Sequence, residues 1–144
     1  MQKYNYSIRL RIWHPSIHPD VISKTLQIGP NNIFIVGEPR RTPKGALLEG
    51  TYNTNYWSAY PSDVRDCFSG DVKAEDSLNS IIEALQNHTS FFGDILASGG
   101  KALLEICSYG NENYAFVFPP KLLKKCVAAN LSLVVDVYPV QQNW

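Results

Sequence analysis

Ile8, Leu10 and Ile12 alternate with Ser7, Arg9, Arg11 and Trp13, a period of two that predicts a strand with one face on the core. His14-Pro15 ends it. Pro19 and Asp20 suit a helix N-terminus, and Val21, Ile22 and Leu26 extend a short helix that Gly29-Pro30 stops. The apolar run 33–36 predicts a second strand. Two prolines and two glycines in Gly37-Glu38-Pro39-Arg40-Arg41-Thr42-Pro43-Lys44-Gly45 predict an irregular loop. After Leu47 and Leu48, the Tyr, Thr and Trp of segment 51–60 favour a pleated surface, with one strand around 55–60.

The polar stretch 63–76 reads as a connection that ends in a helix cap at Asp76 or Ser77. Leu78, Ile81, Ile82, Leu85, Thr89, Phe92 and Leu96 then recur at helical spacing for about five turns. Gly99-Gly100 stops this long helix. Strands are expected at 103–109 and 114–118, and the four residues Gly110-Asn111-Glu112-Asn113 between them predict an antiparallel hairpin. Pro120 opens a third helix over 121–130, with Asn130 at its left-handed cap, and the alternating segment 131–138 closes the pattern before Pro139. Residues 141–144 read as a short tail. Strands and helices mixed in this way predict an α+β fold, with a largely antiparallel sheet, one long helix and two short ones. Strand–helix–strand units near both ends suggest two ferredoxin-like halves.

The chain has 144 residues, so one domain spanning 1–144 is expected, and 44% apolar residues supply a core without disulfides or metals. Thirteen basic and thirteen acidic side chains cancel, which argues against nucleic acid as the partner. Charged residues are only 18%, so part of the surface is expected to be neutral, aromatic and adhesive. No stretch resembles an export signal or a membrane span, and Cys67, Cys107 and Cys126 are odd in number and widely spaced. Free thiols and a cytoplasmic location are the expectation.

His14 and His18 are four apart, but Pro15 breaks the helix that would align them, so no metal site is expected. Elbow, phosphate-loop and dinucleotide motifs are absent, and no cofactor or catalytic residue is assigned. Asp63, Asp66, Asp71, Glu75 and Asp76 read as solvated loop and helix-start carboxylates. Two features remain. Arg40, Arg41 and Lys44 concentrate positive charge beside glycines and suit a carboxylate or phosphate. Tyr52, Tyr56, Trp57 and Tyr60 crowd nine residues, with Tyr56 and Tyr60 on one strand face and Trp57 on the other.

The residues Ile12-Trp13-His14-Pro15, the Gly37–Gly45 loop, Tyr56-Trp57-Ser58 and Val134-Val135-Asp136-Val137-Tyr138 resemble a small bacterial family. It is the domain-of-unknown-function family numbered four-two-seven-nine, over nearly the whole chain. The resemblance implies a compact α+β domain, with members in toxin-immunity neighbourhoods and no catalytic residues. Together these readings lead to a non-enzymatic immunity protein that binds a cognate toxin domain through Arg40, Arg41, Lys44, Tyr52, Tyr56, Trp57 and Tyr60. The alternative is a small anionic-ligand or accessory domain.

Overall fold

The computed structural model describes residues 2–139, and its longest strand, β1 (Asn5–His14), follows the alternation of its sequence residue by residue. Tyr6, Ile8, Leu10 and Ile12 are buried on one side; Ser7, Arg9, Arg11 and Trp13 are half-buried on the other. β1 is the hub of the main sheet. It pairs antiparallel with β5 (Asn55–Ala59), with the short β6 (Cys67–Phe68), and along its length with β7 (Lys101–Tyr109). β2 (Asn32–Phe34) adds antiparallel to β5, and β8 (Ser132–Val137) adds parallel to β7, giving the order β2-β5-β1-β7-β8.

All the helices lie on one side of this sheet. They are α1 (Pro19–Leu26), a 24-residue run made of α2 (Ala74–Leu85), a 3₁₀ turn and α3 (Thr89–Ala97), and then α4 (Pro120–Ala128). Ile22, Leu78, Ile82, Phe92 and Leu122 meet Ile8, Leu10, Ile12, Trp57 and Leu104 in one apolar cluster. Each fully buried Ile or Leu there contributes about 1.5–3 kcal/mol. The architecture is therefore α+β, with a mostly antiparallel sheet and one long helix.

Four expectations need correction. The 37–45 loop is not wholly irregular: β3 (Pro39–Arg41) pairs with β4 (Leu47–Thr51) in an exposed hairpin of its own. Segment 114–118 is extended but pairs with no strand among the described residues. Both edges of β7 are already taken, by β1 and by the parallel β8, so the segment crosses on the helix side. There Tyr114 stacks on Tyr4 at 4.7 Å and Phe116 meets the same ring at 5.1 Å.

Third, Leu96 is exposed and Ile95 buried. The cause is the 3₁₀ turn at Gln86–His88. Three residues at ~120° each rather than ~100° advance the helical phase by about 60°, which carries position 95 inward and 96 outward. Fourth, the ends of the chain are not two ferredoxin-like copies. β1 and β2, which flank α1, run parallel with β5 inserted between them, whereas β7 and β8, which flank α4, are parallel neighbours with no strand between. The 141–144 tail lies outside the described residues.

Where β1 ends, His14 fastens three segments. Its Nδ1 accepts from the backbone amides of Ser16 and Ile17 at 3.0 and 2.8 Å, and its Nε2 lies 2.8 Å from Ser98 Oγ. Ser98 Oγ donates in turn to the Asp94 carbonyl, so Nε2 carries the ring proton and Nδ1 is bare. Burial pushes the His14 pKa down, and protonating Nδ1 would break both amide bonds. Gly99, at φ +95°, turns the chain out of α3, and a methyl group on Gly100 would stand 2.6 Å from the Trp13 carbonyl oxygen.

Two outcomes are expected. Because the unfolded chain takes up a proton at His14 that the folded chain refuses, His14's contribution is complete above about pH 6.5. It is lost as pH falls through the lower folded value. Urea midpoints measured across that window should drop for the native protein, and His14→Gln should be weaker throughout but flatter. Gly100→Ala should cost roughly 1–3 kcal/mol in the same assay.

Candidate functional site

Among the described residues, no helix or second sheet packs on the side of the sheet opposite the helices. Register decides what it carries: Arg9 stands opposite Glu105, Arg11 between Leu103 and Ser58, Trp13 between Lys101 and Tyr56, and Ser7 opposite Cys107. Glu105 is the centre. Its carboxylate accepts from Arg9 Nη2 at 2.6 Å, Arg11 Nη1 at 3.2 Å and the Cys107 thiol at 3.2 Å. The Glu105 side chain is only 6% exposed, whereas Arg9 and Arg11 keep 24% and 27% of theirs in solvent.

Burial alone would raise the Glu105 pKa, but the hydrogen bonds from Arg9 and Cys107 and the charges of Arg9 and Arg11 outweigh it and lower it. The same burial, with the Glu105 carboxylate beside it, pushes the Cys107 thiol up to about 11. A thiol in that state is a poor nucleophile at neutral pH.

An aromatic file runs from the triad toward the hairpin. Arg11 Nε donates to Tyr56 Oη at 2.8 Å, and its guanidinium lies 4.6 Å from the Trp13 ring. Lys101 Nζ sits 4.5 Å from that ring. Trp13 meets Tyr56 at 5.1 Å, Tyr56 stacks on Phe34 at 4.6 Å, and Phe34 stacks on Tyr52 at 4.0 Å. Tyr52 Oη then accepts from the Arg41 amide at 3.3 Å, tying the file to the β3–β4 hairpin. Flat rings supply contact area at low entropic cost, and each cation over a ring adds about 0.5–1 kcal/mol at an exposed site.

The residues singled out in the sequence are thus partly assembled. Arg40, Arg41 and Lys44 are exposed on the hairpin; Arg40 and Arg41 donate to the carbonyls of Glu49 and Gly45, and none of the three forms an ion pair among the described residues. Tyr52 and Tyr56 belong to the aromatic file. Tyr60 is half-exposed just past the end of β5, under the Arg65 guanidinium at 4.2 Å. Trp57 offers no surface: it is wholly buried on the helix side, its indole N–H donating to Ser23 Oγ at 2.9 Å. Arg9, Arg11, Trp13 and Glu105 were overlooked. Their signal was the second face of the β1 alternation, where two arginines and a tryptophan recur at i, i+2 and i+4.

Between β2 and the hairpin lies a cleft of about 940 Å³, lined by Asn31, Asn32, Phe34, Arg41 and Tyr52 among others. No group of three or more His, Cys, Asp or Glu gathers to hold a metal ion among the described residues. Nor is any helix there long and apolar enough to cross a membrane.

The model of the family described as Domain of unknown function (DUF4279) matches residues 2–140. The chain belongs to that family. No curated protein and no solved structure matches it. The matched span covers every residue of the open sheet face and the hairpin, so the site lies wholly inside the family domain.

Replacing Glu105 by Gln should cost roughly 2–4 kcal/mol in chemical denaturation, because two partly buried guanidinium groups lose their counter-charge. Since its folded pKa is depressed, the stabilisation from Glu105 is present above about pH 4.3 and lost as pH falls through the folded value. The native protein should therefore weaken through that acid range, and the Glu105→Gln protein should lose less there.

Proposed function

We propose that this protein is a non-enzymatic binding protein of the cytoplasm, an immunity protein that covers a cognate bacterial toxin domain with its open sheet face and hairpin. One observation carries the reading: a sheet whose second face is left without helices presents cations seated on aromatic rings. Unlayered faces with aromatic and Arg anchors have the composition of protein interfaces. Three groups of the kind that do nucleophilic or acid–base work are engaged: burial pushes the His14 pKa down and both its nitrogens are hydrogen-bonded, the Cys107 thiol is raised, and Glu105 accepts from three donors.

Charge indicates the kind of toxin surface. Arg9, Arg11 and Lys101 outnumber Glu105 and Asp136 on the face, and Arg40, Arg41 and Lys44 extend the positive potential, although the whole chain is neutral. An acidic patch on the toxin complements this charge, and steering of this kind weakens with salt. A second reading, an anionic small ligand in the cleft beside Arg41, is favoured by the cleft's size and its paired asparagines.

Co-expression with the toxin-like reading frame next to its gene should give a co-eluting complex and rescue growth. Lys101→Glu combined with Arg41→Glu, both at exposed positions, should slow association at least tenfold and flatten its salt dependence. Absence of any complex and of any protection by the native protein would overturn the reading.

A further inference from the structure

The two edges of the main sheet differ. β2 is three residues long, whereas β8 is six, Ser132-Leu133-Val134-Val135-Asp136-Val137, with a single charge and no proline or lysine to blunt it. Long, apolar, unprotected edges invite another strand. The Tyr138 amide donates to the Ser108 carbonyl on β7, so the even-numbered residues of this strand aim their backbone groups inward. Leu133, Val135 and Val137 therefore turn both N–H and C=O outward, and none of these groups has a backbone partner among the described residues. Their side chains are also under-covered: Val135 and Val137 are 38% and 56% exposed on the sheet side that is otherwise core. An apolar groove of about 570 Å³, lined in part by Phe116, Phe118, Val135 and Val137, runs beside them.

We infer that β8 is the seam of a two-fold homodimer, in which it pairs antiparallel with β8 of a second copy and joins the two sheets. Symmetry selects the register. Centred on Val135, the axis sets Val135 against Val135 of the partner subunit and Leu133 against the partner's Val137. All three outward residues are then engaged in hydrogen-bonded pairs, making six backbone bonds across the seam. Asp136 falls opposite the partner's Val134. Shifting the axis one residue to Asp136 would oppose two carboxylates and set Leu133 against a proline, which lacks an N–H. Shifting it to Val134 leaves Val137 unpaired within the strand. The edge is thus self-complementary in its backbone and opposes no like charges, the reason for assigning a second copy rather than a foreign strand. A chain with equal numbers of acidic and basic residues also lacks the net charge that keeps copies apart.

Light scattering behind size exclusion should give a mass twice that of one chain. Val135→Pro removes an outward N–H without touching the bonds to β7, a change an edge strand tolerates. It should give a monomer with unchanged circular dichroism. Should that variant fail to fold, hydrogen exchange on the native protein decides: the Leu133, Val135 and Val137 amides should be protected when concentrated and lose protection on dilution. A native protein that is monomeric up to its solubility limit, a folded Val135→Pro dimer, or those amides exchanging freely at every concentration would each overturn the inference.

Discussion

β1 sits between β5 and β7 with two faces that cannot be exchanged, and this constraint organises the molecule. Ile8, Leu10 and Ile12 need a dry side; Arg9 and Arg11 need a counter-ion and some water. A slip of one residue against either neighbour would drive both guanidinium groups into the apolar cluster, at several kcal/mol per unpaired ion. Glu105 reinforces the register with β7, because opposite Arg9 it also reaches the diagonal Arg11. Once the strand is fixed in this way, helices can bury their apolar stripes on one face alone. The other face stays open because covering it would strip water from Arg9, Arg11 and Lys101.

That asymmetry also governs the chemistry. The Glu105 carboxylate, the Cys107 thiol and the His14 imidazole are each already engaged. Glu105 holds three donors, Cys107 is pushed away from the thiolate by its acidic neighbour, and His14 is buried on the far side with both nitrogens occupied. What the face keeps available is shape and positive charge over rings. Local excess charge on a neutral chain gives orientation without the non-specific adhesion that a basic protein would show. The hairpin extends the same character, since Tyr52 belongs to the ring file and accepts from the Arg41 amide.

How much of this was legible follows from the range of the interactions. The β1 alternation, the Pro19 and Pro120 helix starts, the left-handed Asn130 and the Gly99 stop are local signals, and the structure keeps all of them. The helical spacing from Leu78 to Leu85 was also visible; the 3₁₀ turn that rephases Ile95 against Leu96 was not, because nothing in Gln86-Asn87-His88 demands it. Segment 114–118 has a strand's alternation, with Tyr114, Phe116 and Phe118 inward, and only competition from the parallel β8 denies it a partner. At the site, tyrosines close in sequence could be noticed together. The pairing of Arg9 with Glu105, 96 residues apart, depends on a register that no local pattern encodes. Trp57 shows the converse: it directly follows the ring-file residue Tyr56 in sequence, yet the strand's alternation sends it into the core.

The parallel placement of β8 links the two surfaces of the molecule. Because the crossover through α4 returns the chain beside β7 in the same direction, the sheet ends on a strand whose outer groups have no backbone partner among the described residues. A two-fold axis that joins two such edges within one sheet must stand roughly perpendicular to it. Each open face of the pair then points the same way. Two cationic ring files would lie on one continuous surface, and a target engaged by the first is held near the second, so modest contacts reinforce one another without added charge. An axis lying in the plane of the sheet would instead turn the faces apart and leave each to bind alone. In the inferred dimer, the geometry of one edge strand thereby sets the valency of the whole open face.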